Sequence, residues 1–405
     1  MPNPLENKRI VLGVTGAIPA FKSVELAYKL TQQGVLVDVV LTEDAARFIA
    51  PITFQSVTDR KAFTDETLWG EEGHVVYTGL GHAADLVLLV PASANTIAKL
   101  AHGICDNLLT LTILAARCPI VIAPAMDAAM FEHPATQENI SILKKRGALV
   151  IGPGPGRPNS GMVGFGRLIE PGEILAEVRY MLSRKGQLAG KKIVVTAGAT
   201  QEPIDPVRYI TNRSSGRQAY AIAKASLDAG ADVVLISAPT ALPAPVGAKK
   251  VAVRTTEEMY HAVISEMDDT DVLVMAAAVA DFCCVHPAEQ KIKRQAGTPD
   301  FELEPTVDIL AAVNKRRLRT DFPNRVIAFA AETENLVENG LAKLEARNLD
   351  MIVVHDVTAP DVGFEGDTNR VTLIFSDGRI EELPLRTREQ VAENIINKIQ
   401  TWIIE

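Results

Sequence analysis

One polar stretch, residues 210–223, reads ITNRSSGRQAYAIA and leads into a helical pattern. It combines an amide, two hydroxyls, a glycine and two guanidinium groups, carried by Asn212, Ser214, Ser215, Gly216, Arg213 and Arg217. The first N–H groups of a helix attract anions, and glycine lets a phosphate approach the backbone. Flanking arginines add charge-assisted hydrogen bonds. The stretch therefore predicts an anion site, whereas a simpler interpretation makes a serine the helix N-cap and leaves the arginines in solvent.

The residues before this stretch add weight to the anion site. TAGATQEPIDPVRYITN, residues 196–212, contains two constrained prolines and several polar side chains. Such a loop is costly to order unless it binds something.

A second polar cluster, residues 276–294, reads AAAVADFCCVHPAEQKIKR. We predict that a continuous strand ends at Asp281, on the sheet edge where open α/β folds bind ligands. Lys291 and Lys293 follow at alternate positions and could face a phosphate or a polarised carbonyl, while Asp281 could bind a ribose or a metal. The simpler interpretation is a solvated edge strand around Lys291.

The composition fits a folded protein of two or three domains. Its 405 residues are 47% apolar and 22% charged, with a net charge of −9. This charge argues against nucleic acid as the main partner. The N-terminus lacks a signal-peptide pattern and the longest apolar run, residues 272–280, is too short to span a bilayer, so we expect a cytoplasmic protein. Four cysteines in no metal-binding spacing are expected to be inert, partly buried thiols: Cys105, Cys118, Cys283 and Cys284.

Apolar runs of strand length alternate with helical patterns in both halves of the chain. The alternation predicts parallel βαβ winding with strands buried on both faces. Glycine and proline in residues 152–168 predict a long loop, and the polar stretch RKGQLAGKK predicts a domain boundary. We therefore expect domains at 1–185 and 186–405. Near the C-terminus, Asp377-Gly378 predicts a hairpin, and Thr387 with Gln390 predicts a capping box.

Familiar nucleotide motifs do not explain the polar stretches. No P-loop sequence occurs. GLGHAA, residues 79–84, matches a dinucleotide pattern, but it precedes a strand instead of following one, and we interpret it as an ordinary turn.

Taken together, TAGATQEPIDPVRYITNRSSG, AAAVAD, KIKR and FAAET resemble the ligase half of bacterial bifunctional coenzyme A biosynthesis proteins. GVTGAIPAFK, PASANTIAKLAHGICDNLLT and APAMDAAMFEHPATQENI resemble the phosphopantothenoylcysteine decarboxylase half. The resemblance covers nearly the whole chain. It implies two Rossmann-like, doubly wound α/β domains: a flavodoxin-like, FMN-binding first half and a nucleotide-binding ligase second half.

The resemblance also implies two activities. The ligase half joins cysteine to 4'-phosphopantothenate through a CTP-derived acyl-cytidylate, with Mg²⁺ expected, and the decarboxylase half uses FMN to convert the product to 4'-phosphopantetheine. Substrates are thus small molecules, with no nucleic acid or membrane partner, and a homo-oligomer is implied. The resemblance implies CTP, whereas the residues of this sequence alone leave both CTP and ATP open.

Specific residues match the ligase pattern. Asn212 and Lys291 match catalytic positions, and Lys291 could neutralise charge developing on the α-phosphate. Ser214, Ser215 and Gly216 would bind the substrate phosphate. The nucleotide positions are Ala277, Ala278, Asp281, Lys291, Val307, Asp308, Ile309, Leu310, Phe329, Lys343 and Arg347. Departures from the family are Arg347 for Lys, Ala219 for Gly and His355 for Asn.

The first half matches the FMN pattern less completely. The implied flavin-binding residues are Gly16, Ala17, Ile18, Thr42, Ser93, Ala94, Asn95, Thr96 and Ala125. The catalytic His position falls on Tyr77, the carboxylate-binding Asn position falls on Asp127, and the flap cysteine is missing. A tyrosine with an ordinary pKa near 10 is no general base at neutral pH. An ionised Asp127 would repel a carboxylate, although a protonated one could donate a hydrogen bond.

Three hypotheses follow from this mixture. The chain is a full bifunctional enzyme, a ligase with a catalytically impaired FMN-binding half, or a flavin-binding regulatory subunit. His74 and His82, which flank Tyr77, are alternative bases, although a surface imidazole is the simpler interpretation of each.

Overall fold

The structure, a computed structural model, describes residues 3–68, 73–156, 164–294, 300–356 and 368–404. The chain divides into two compact units, Pro2–Ser183 and Arg184–Glu405. Among the helices of the described ranges, none has the length and hydropathy that a bilayer span requires.

The first unit is an open parallel sheet with helices on both faces. Its main strands are β1 (Arg9–Val14), β2 (Leu36–Leu41), β3 (Ala62–Phe63), β4 (Leu86–Ala92), β5 (Ile120–Pro124) and β6 (Leu149–Val150), followed by β7 (Gly154–Gly156) and β8 (Gly164–Arg167). The main sheet has the order β3-β2-β1-β4-β5-β6, and all its pairs are parallel. The helices are α1 (Phe21–Gln32), α2 (Glu43–Ala46), α3 (Pro51–Thr58), α4 (Asp65–Leu68), α5 (Gly73–Ala83), α6 (Ala94–His102), α7 (Leu108–Ala115), α8 (Ala128–Glu132), α9 (Pro134–Lys145) and α10 (Pro171–Ser183).

Strand β1 shows why this sheet is covered on both faces. Ile10, Leu12 and Val14 pack into one hydrophobic cluster, and the intervening Val11 packs into another. Because successive side chains point to opposite faces, a strand that is apolar throughout needs helices on both sides. The predicted doubly wound fold is confirmed for this unit.

The second unit repeats this winding and adds an antiparallel edge. Its strands are β9 (Lys192–Ala197), β10 (Gln201–Pro203), β11 (Tyr209–Thr211), β12 (Asp232–Ser237), β13 (Lys249–Ala252), β14 (Val272–Met275), β15 (Phe282–Cys284), β16 (Leu303–Pro305), β17 (Arg325–Glu332), β18 (Met351–Asp356), β19 (Thr368–Phe375) and β20 (Ile380–Thr387). Its helices are α11 (Arg217–Asp228), α12 (Thr256–Glu266), α13 (Ile309–Thr320), α14 (Leu336–Ala346) and α15 (Arg388–Ile404). The main sheet has the order β13-β12-β9-β14-β17-β18-β19-β20, parallel as far as β18.

Two local predictions near the C-terminus are confirmed. Strands β19 and β20 form the hairpin, with Gly378 at φ +85°. Thr387 N–H donates to Gln390 Oε1 at 3.1 Å and Gln390 N–H donates to Thr387 Oγ1 at 3.2 Å, which is the reciprocal capping box.

Three predictions of local structure are wrong. GLGHAA forms the end of helix α5, which includes its residues 79–83, and Gly81 allows close contact with α7: a Cβ there would lie 2.8 Å from the Thr112 carbonyl oxygen. Residues 152–168 are not wholly loop, because β7 and β8 pair within them. The predicted strand to Asp281 ends at Met275, for a reason given below.

A buried ion cluster holds the first unit's edge together. The Asp38 carboxylate on β2 is 3% exposed and accepts hydrogen bonds from Arg9 Nε at 2.5 Å and Arg60 Nη2 at 2.6 Å. Removing one partner of a buried ion cluster leaves the remaining charges uncompensated.

We predict that Asp38→Asn lowers the free energy of unfolding of the first unit by about 2 kcal/mol, less than a fully buried pair costs because both arginines are part exposed. Native-state hydrogen exchange of β1 and β2 amides measures the change. Glu43→Gln, which breaks the exposed Glu43–Arg47 pair, is the control and should change it by less than about 0.5 kcal/mol. Equal effects of the two variants would contradict the prediction.

Candidate functional site

A cleft of about 1100 Å³ opens at the carboxyl ends of the second unit's parallel strands. It is bordered by the turn before α11, the segment after β14, the start of α13, and parts of β17 and α14. All the predicted ligase residues except Lys291 line it: Asn212, Ser214, Ser215, Gly216, Ala277, Ala278, Asp281, Val307, Asp308, Ile309, Leu310, Phe329, Lys343 and Arg347. The fold thus brings together residues that are up to 135 positions apart in the chain (347 − 212).

The turn before α11 is built from glycine. Gly216 is the N-cap residue, with φ +75°, and contributes no side-chain cap. The Ser214 hydroxyl instead accepts a hydrogen bond from the Gly216 N–H at 3.3 Å. The simpler interpretation of a serine N-cap is therefore wrong, and the first turn of α11 borders the cleft without a capping side chain, as an anion site requires.

A second glycine turn supports the first. Gly198, at φ +79°, follows β9, and a Cβ on Gly216 would lie 3.4 Å from the Gly198 N atom. Cβ atoms on Gly198 and on Gly216 would each lie 3.0 Å from the Thr240 methyl group. Both positions need glycine because the φ angle and the space exclude other side chains.

The wall beside this turn is the segment that follows β14. Thr196 Oγ1 accepts hydrogen bonds from the N–H groups of Ala276 and Ala277 at 3.1 and 3.2 Å, and Thr200 Oγ1 accepts one from Ala280 N–H at 2.9 Å. These hydroxyls take N–H groups that a continuing strand would give to its neighbour. Strand β14 therefore ends at Met275, an isolated bridge joins Ala278 to Ala199, and residues 276–281 border the cleft.

Asn212 is fixed against this same segment. Its Nδ2 donates to the Val279 carbonyl oxygen at 2.8 Å. The amide is thereby oriented at the cleft wall, between the glycine turn and Asp281.

The other end of the cleft carries cationic side chains. Arg347 Nη2 contacts Asp308 Oδ2 at 2.5 Å, and Asp308 Oδ1 caps α13 by accepting from Ala311 N–H at 2.8 Å. Phe329 on β17 and Lys343 on α14 lie along the same wall, and both are half-buried. Cations beside an aromatic ring suit a ligand that joins phosphate to a planar base.

Lys291 is not among the described residues that line the cleft. It is exposed on an irregular segment, so the alternative of a KIK edge strand is wrong as well.

Sequence reasoning missed several residues of the cleft. The cleft is also lined by Gln218, Glu332, Asn369 and Arg388. His355 lines it too, although the sequence marked it only as a departure from the family pattern. Gln218 Nε2 donates to the Arg388 carbonyl oxygen at 3.1 Å. Gln218 could have been noticed as a polar residue in the apolar face of α11. Asn369 and Arg388 could not, because strand topology alone places them at the cleft.

In the first unit, the predicted flavin residues gather at the carboxyl edge of the sheet. They follow β1, β2, β4 and β5: Gly16, Ala17, Ile18, Thr42, Ser93, Ala94, Asn95, Thr96 and Ala125. Between β1 and β4 the strand order reverses, and ligands of open α/β sheets bind at such a point. Ser93 N–H donates to Thr15 Oγ1 at 2.9 Å and so links the two loops there.

These loops have the chemistry that a flavin needs. Ile18 is 60% exposed at this edge, and Asn95 is an exposed amide in the first turn of α6. An exposed apolar side chain beside a helix N-terminus suits an aromatic ring that carries a phosphate. Thr42 and Ser93 cap α2 and α6 through their hydroxyls, which fixes both loops.

Tyr77 and Asp127 occupy different surroundings. Tyr77 lies half-buried on α5, packed against the hydrophobic cluster that contains Leu80 and Leu109. Asp127 follows β5 and caps α8, since its Oδ1 accepts from Ala129 N–H at 2.9 Å. His82 is exposed, and the side chain of His74 lies outside what the structure describes.

The glycine-rich stretch after β6 is anchored beside Asp127. Met126 N–H donates to the Gly166 carbonyl oxygen at 3.1 Å, and a Cβ on Gly166 would lie 2.3 Å from the Met126 carbonyl oxygen. Gly166 is therefore required for strand β8 to reach the edge. Residues 157–163, in the middle of the loop predicted over residues 152–168, lie outside the described residues.

The cysteines and potential metal ligands form no further site in the described residues. All four cysteines are free thiols, and burial raises the pKa of Cys105, Cys118 and Cys283. Within the described ranges, no cluster of three or more His, Cys, Asp or Glu side chains could hold a metal ion.

We predict that Gly216→Ala weakens binding of inorganic pyrophosphate by about tenfold or more, because the strained alanine displaces the turn from the start of α11. Calorimetric titration with pyrophosphate measures the effect. Gly378→Ala is the matched control, since its φ is also positive but no atom lies within 4 Å of the added Cβ. Equal pyrophosphate binding by both variants would contradict an anion site at Gly216.

Comparisons with known proteins match both units. The flavoprotein family model matches residues 1–182, and the model of the DNA/pantothenate metabolism flavoprotein C-terminal domain matches residues 188–403. The coenzyme A biosynthesis bifunctional protein CoaBC of Bacillus subtilis (strain 168) is 41% identical over 398 residues, 98% of this chain and 97% of that protein.

Two further relatives differ in what they cover. A cysteine/cysteine sulfinic acid decarboxylase from an unknown prokaryotic organism is 43% identical over 332 residues, 81% of this chain and 92% of that protein. The crystal structure of the C-terminal domain of a CoaBC protein is 38% identical and covers 54% of this chain and 98% of its own, with a TM-score of 0.46. Because the identity to the Bacillus protein extends through both units, this chain belongs to the family of bifunctional coenzyme A biosynthesis proteins named CoaBC.

Proposed function

We propose that this chain catalyses two consecutive steps of coenzyme A synthesis. Residues 186–405 ligate cysteine to 4'-phosphopantothenate with CTP, and residues 1–185 decarboxylate the product, phosphopantothenoylcysteine, with FMN. The observation that carries the ligase assignment is the single cleft in which the glycine turn, Asn212, the segment after β14 and the cationic end meet.

The ligase reaction has two chemical steps. A carboxylate oxygen of 4'-phosphopantothenate attacks the α-phosphorus of CTP, and the bond to pyrophosphate breaks. The amine of cysteine then attacks the acyl carbon of the acyl-cytidylate, loses a proton, and expels CMP. Both steps build negative charge on oxygens, which fixed donors and cations stabilise.

The cleft offers a group for most of these requirements, and Lys291, which does not line it, would supply the remaining charge. The start of α11 with Ser214 and Ser215 would bind a phosphate of the substrates, and Asn212 would orient the acyl phosphate. Lys343, Arg347 and Phe329 would bind the nucleotide, and Lys291 would neutralise charge on the α-phosphate. We propose CTP, and not ATP, as the nucleotide, as the family resemblance implies.

Mg²⁺ is proposed to enter with the nucleotide. Mg²⁺ keeps several waters and is commonly held by substrate phosphates with few protein ligands. A cleft bordered by Asp281 and Asp308, without a larger acidic cluster among its described residues, fits this mode of binding.

For the decarboxylase we propose FMN at the edge between β1 and β4. Bound FMN would supply reversible two-electron chemistry, the uptake and return of a hydride, which would make loss of CO₂ from the cysteinyl group easy. The chain's own loops would hold the phosphate and ring, through residues 16–18 and 93–96, and Thr42 and Ala125 would complete the edge.

The proton-transfer groups of this half are less complete. Asp127 borders the same edge but already accepts a backbone N–H, and Tyr77 packs among apolar side chains. We expect that decarboxylation is retained and that the lack of a histidine base at position 77 slows it. The proposal also includes a homo-oligomer in the cytoplasm.

We predict that Lys291→Gln lowers pyrophosphate release from CTP and 4'-phosphopantothenate by about 10²- to 10³-fold, because charge on the α-phosphate loses its cation. The fold should persist, since Lys291 is exposed. Lys315→Gln, an exposed lysine on α13, is the matched control and should keep full activity. Undiminished acyl-cytidylate formation in Lys291→Gln would contradict the assignment.

We predict that the purified protein has a flavin absorption spectrum and releases CO₂ slowly from phosphopantothenoylcysteine. Tyr77→His should raise this rate by about 10²- to 10⁴-fold, the usual contribution of a general acid or base. Tyr28→His, on the exposed surface of α1, is the control and should leave the rate unchanged.

Two other outcomes of this experiment would assign different roles to the first unit. Rapid CO₂ release by the unaltered protein that falls in His74→Ala would assign the base to His74. Slow release that does not respond to changes at 74, 77 or 82 would make the first unit a flavin-binding platform for the ligase.

A further inference from the structure

The proline-containing loop before Asn212 has a buried carboxylate at its centre. Residues 204–208 connect β10 to β11, and Asp205 lies at the turn with its side chain fully buried. Its Oδ1 accepts hydrogen bonds from Val207 N–H at 2.7 Å and Arg208 N–H at 2.8 Å. These two bonds are local and shape the turn.

The second oxygen of Asp205 makes a contact across 87 positions of the chain. Oδ2 accepts from Arg208 Nη1 at 3.1 Å and from the Ile292 N–H at 3.2 Å. A carboxylate has about four acceptor sites, so these four donors use its full capacity. Burial by itself would raise the pKa of Asp205, but the N–H donors and the Arg208 guanidinium outweigh it and lower the pKa, which keeps the carboxylate ionised at neutral pH.

Arg208 also binds the backbone of Ile292. Its Nη2 donates to the Ile292 carbonyl oxygen at 3.2 Å, and Ala288 N–H donates to the Ile204 carbonyl oxygen at 2.9 Å. Both backbone polar groups of Ile292 are thus held by one ion pair. Residues 285–293 contain no helix or strand, so these contacts take the place of a sheet in fixing the segment.

The anchoring of Ile292 by Asp205 and Arg208 matters because of where Ile292 lies in the chain. Lys291 is its direct neighbour, and the turn that holds Ile292 leads through β11 to Asn212. The two groups to which the proposed ligase mechanism gives separate tasks therefore share one anchor. A misplacement of about 1 Å in a catalytic group can cost about 10²-fold in rate.

We propose that Asp205 is a positioning residue for the ligase, which sets the place of Lys291 relative to Asn212 through the backbone of Ile292. This inference rests on the proposed role of Lys291. It gives the costly proline loop a purpose: the loop binds another segment of the same chain.

The test uses the full chain and Asp205→Asn, which keeps the size of the side chain but removes its charge. We expect kcat for pyrophosphate release to fall about 10- to 100-fold, while KM for CTP changes less than about threefold. Trypsin should also cut the Lys291–Ile292 bond several times faster than in the unaltered protein. Asp350→Asn is the matched control: that carboxylate is also largely buried, accepts Val326 N–H at 2.8 Å and pairs with Arg317 and Arg325. It should keep kcat and the cleavage rate within about twofold.

A double variant separates positioning from general stability. If Asp205 acts through Lys291, adding Asp205→Asn to Lys291→Gln should lower single-turnover pyrophosphate release no further. An equal further loss in the double variant, or a kcat within about twofold in Asp205→Asn alone, would overturn the inference. Full activity of Lys291→Gln would instead contradict the proposed function itself.

A second pair of variants covers the case in which Asp205→Asn does not fold. Ile292→Pro removes the N–H that Asp205 accepts and also restricts the backbone of residues 291 and 292, whereas Ile292→Ala shortens the side chain and keeps the N–H. We expect a loss of kcat in the proline variant that the alanine variant does not share. Equal kcat values in the two variants would overturn the inference.

Discussion

The ligase cleft depends on the hydroxyl of Thr196. This buried side chain, at the end of β9, accepts the N–H groups of Ala276 and Ala277, which would otherwise continue the pairing of β14. The regular pairing of β9 with β14 therefore ends at this point, the two segments keep an isolated bridge between Ala199 and Ala278, and residues 276–281 border the cleft. Thr200 extends the same arrangement to Ala280, so the wall of the site is backbone held by side-chain oxygens.

The glycine turns lie beside this wall. Directly after β9, Gly198 and Gly216 meet backbone to backbone against Thr240, and α11 begins at the cleft with no capping side chain. Asn212 and the Lys291 segment are placed by contacts with Val279 and with Asp205. Packing around one parallel strand pair thus brings together the groups to which the mechanism assigns phosphate binding and charge neutralisation.

Local patterns in the sequence predicted much of this arrangement. The hairpin at Gly378, the capping box at Thr387 and the doubly wound sheets depend on neighbouring residues or on apolar periodicity. The end of β14 did not follow from the sequence, because AAAVA remains apolar and only distant threonine hydroxyls end the strand. For the same reason Asn369 and Arg388 were missed at the cleft: antiparallel pairing after β18 brings them there, and no spacing encodes it.

The two units differ in how well the residues at the carboxyl edge of each sheet suit the reaction proposed there. In the second, every described wall of the cleft carries polar groups oriented by hydrogen bonds. In the first, the loops after β1 and β4 fit a flavin, but Tyr77 packs against apolar side chains and Asp127 caps a helix. The family assignment covers both units.

The central claim is that the second unit activates a carboxylate through an acyl-cytidylate, and transfer of a heavy oxygen isotope tests it most directly. The full protein is incubated with CTP, cysteine and 4'-phosphopantothenate whose carboxylate carries the label. Mass spectrometry then measures the label in CMP, pyrophosphate and inorganic phosphate. The account predicts one labelled oxygen in CMP and none in pyrophosphate, because the carboxylate oxygen that attacks the α-phosphorus leaves with CMP. Unlabelled CMP, or label in inorganic phosphate, would contradict it.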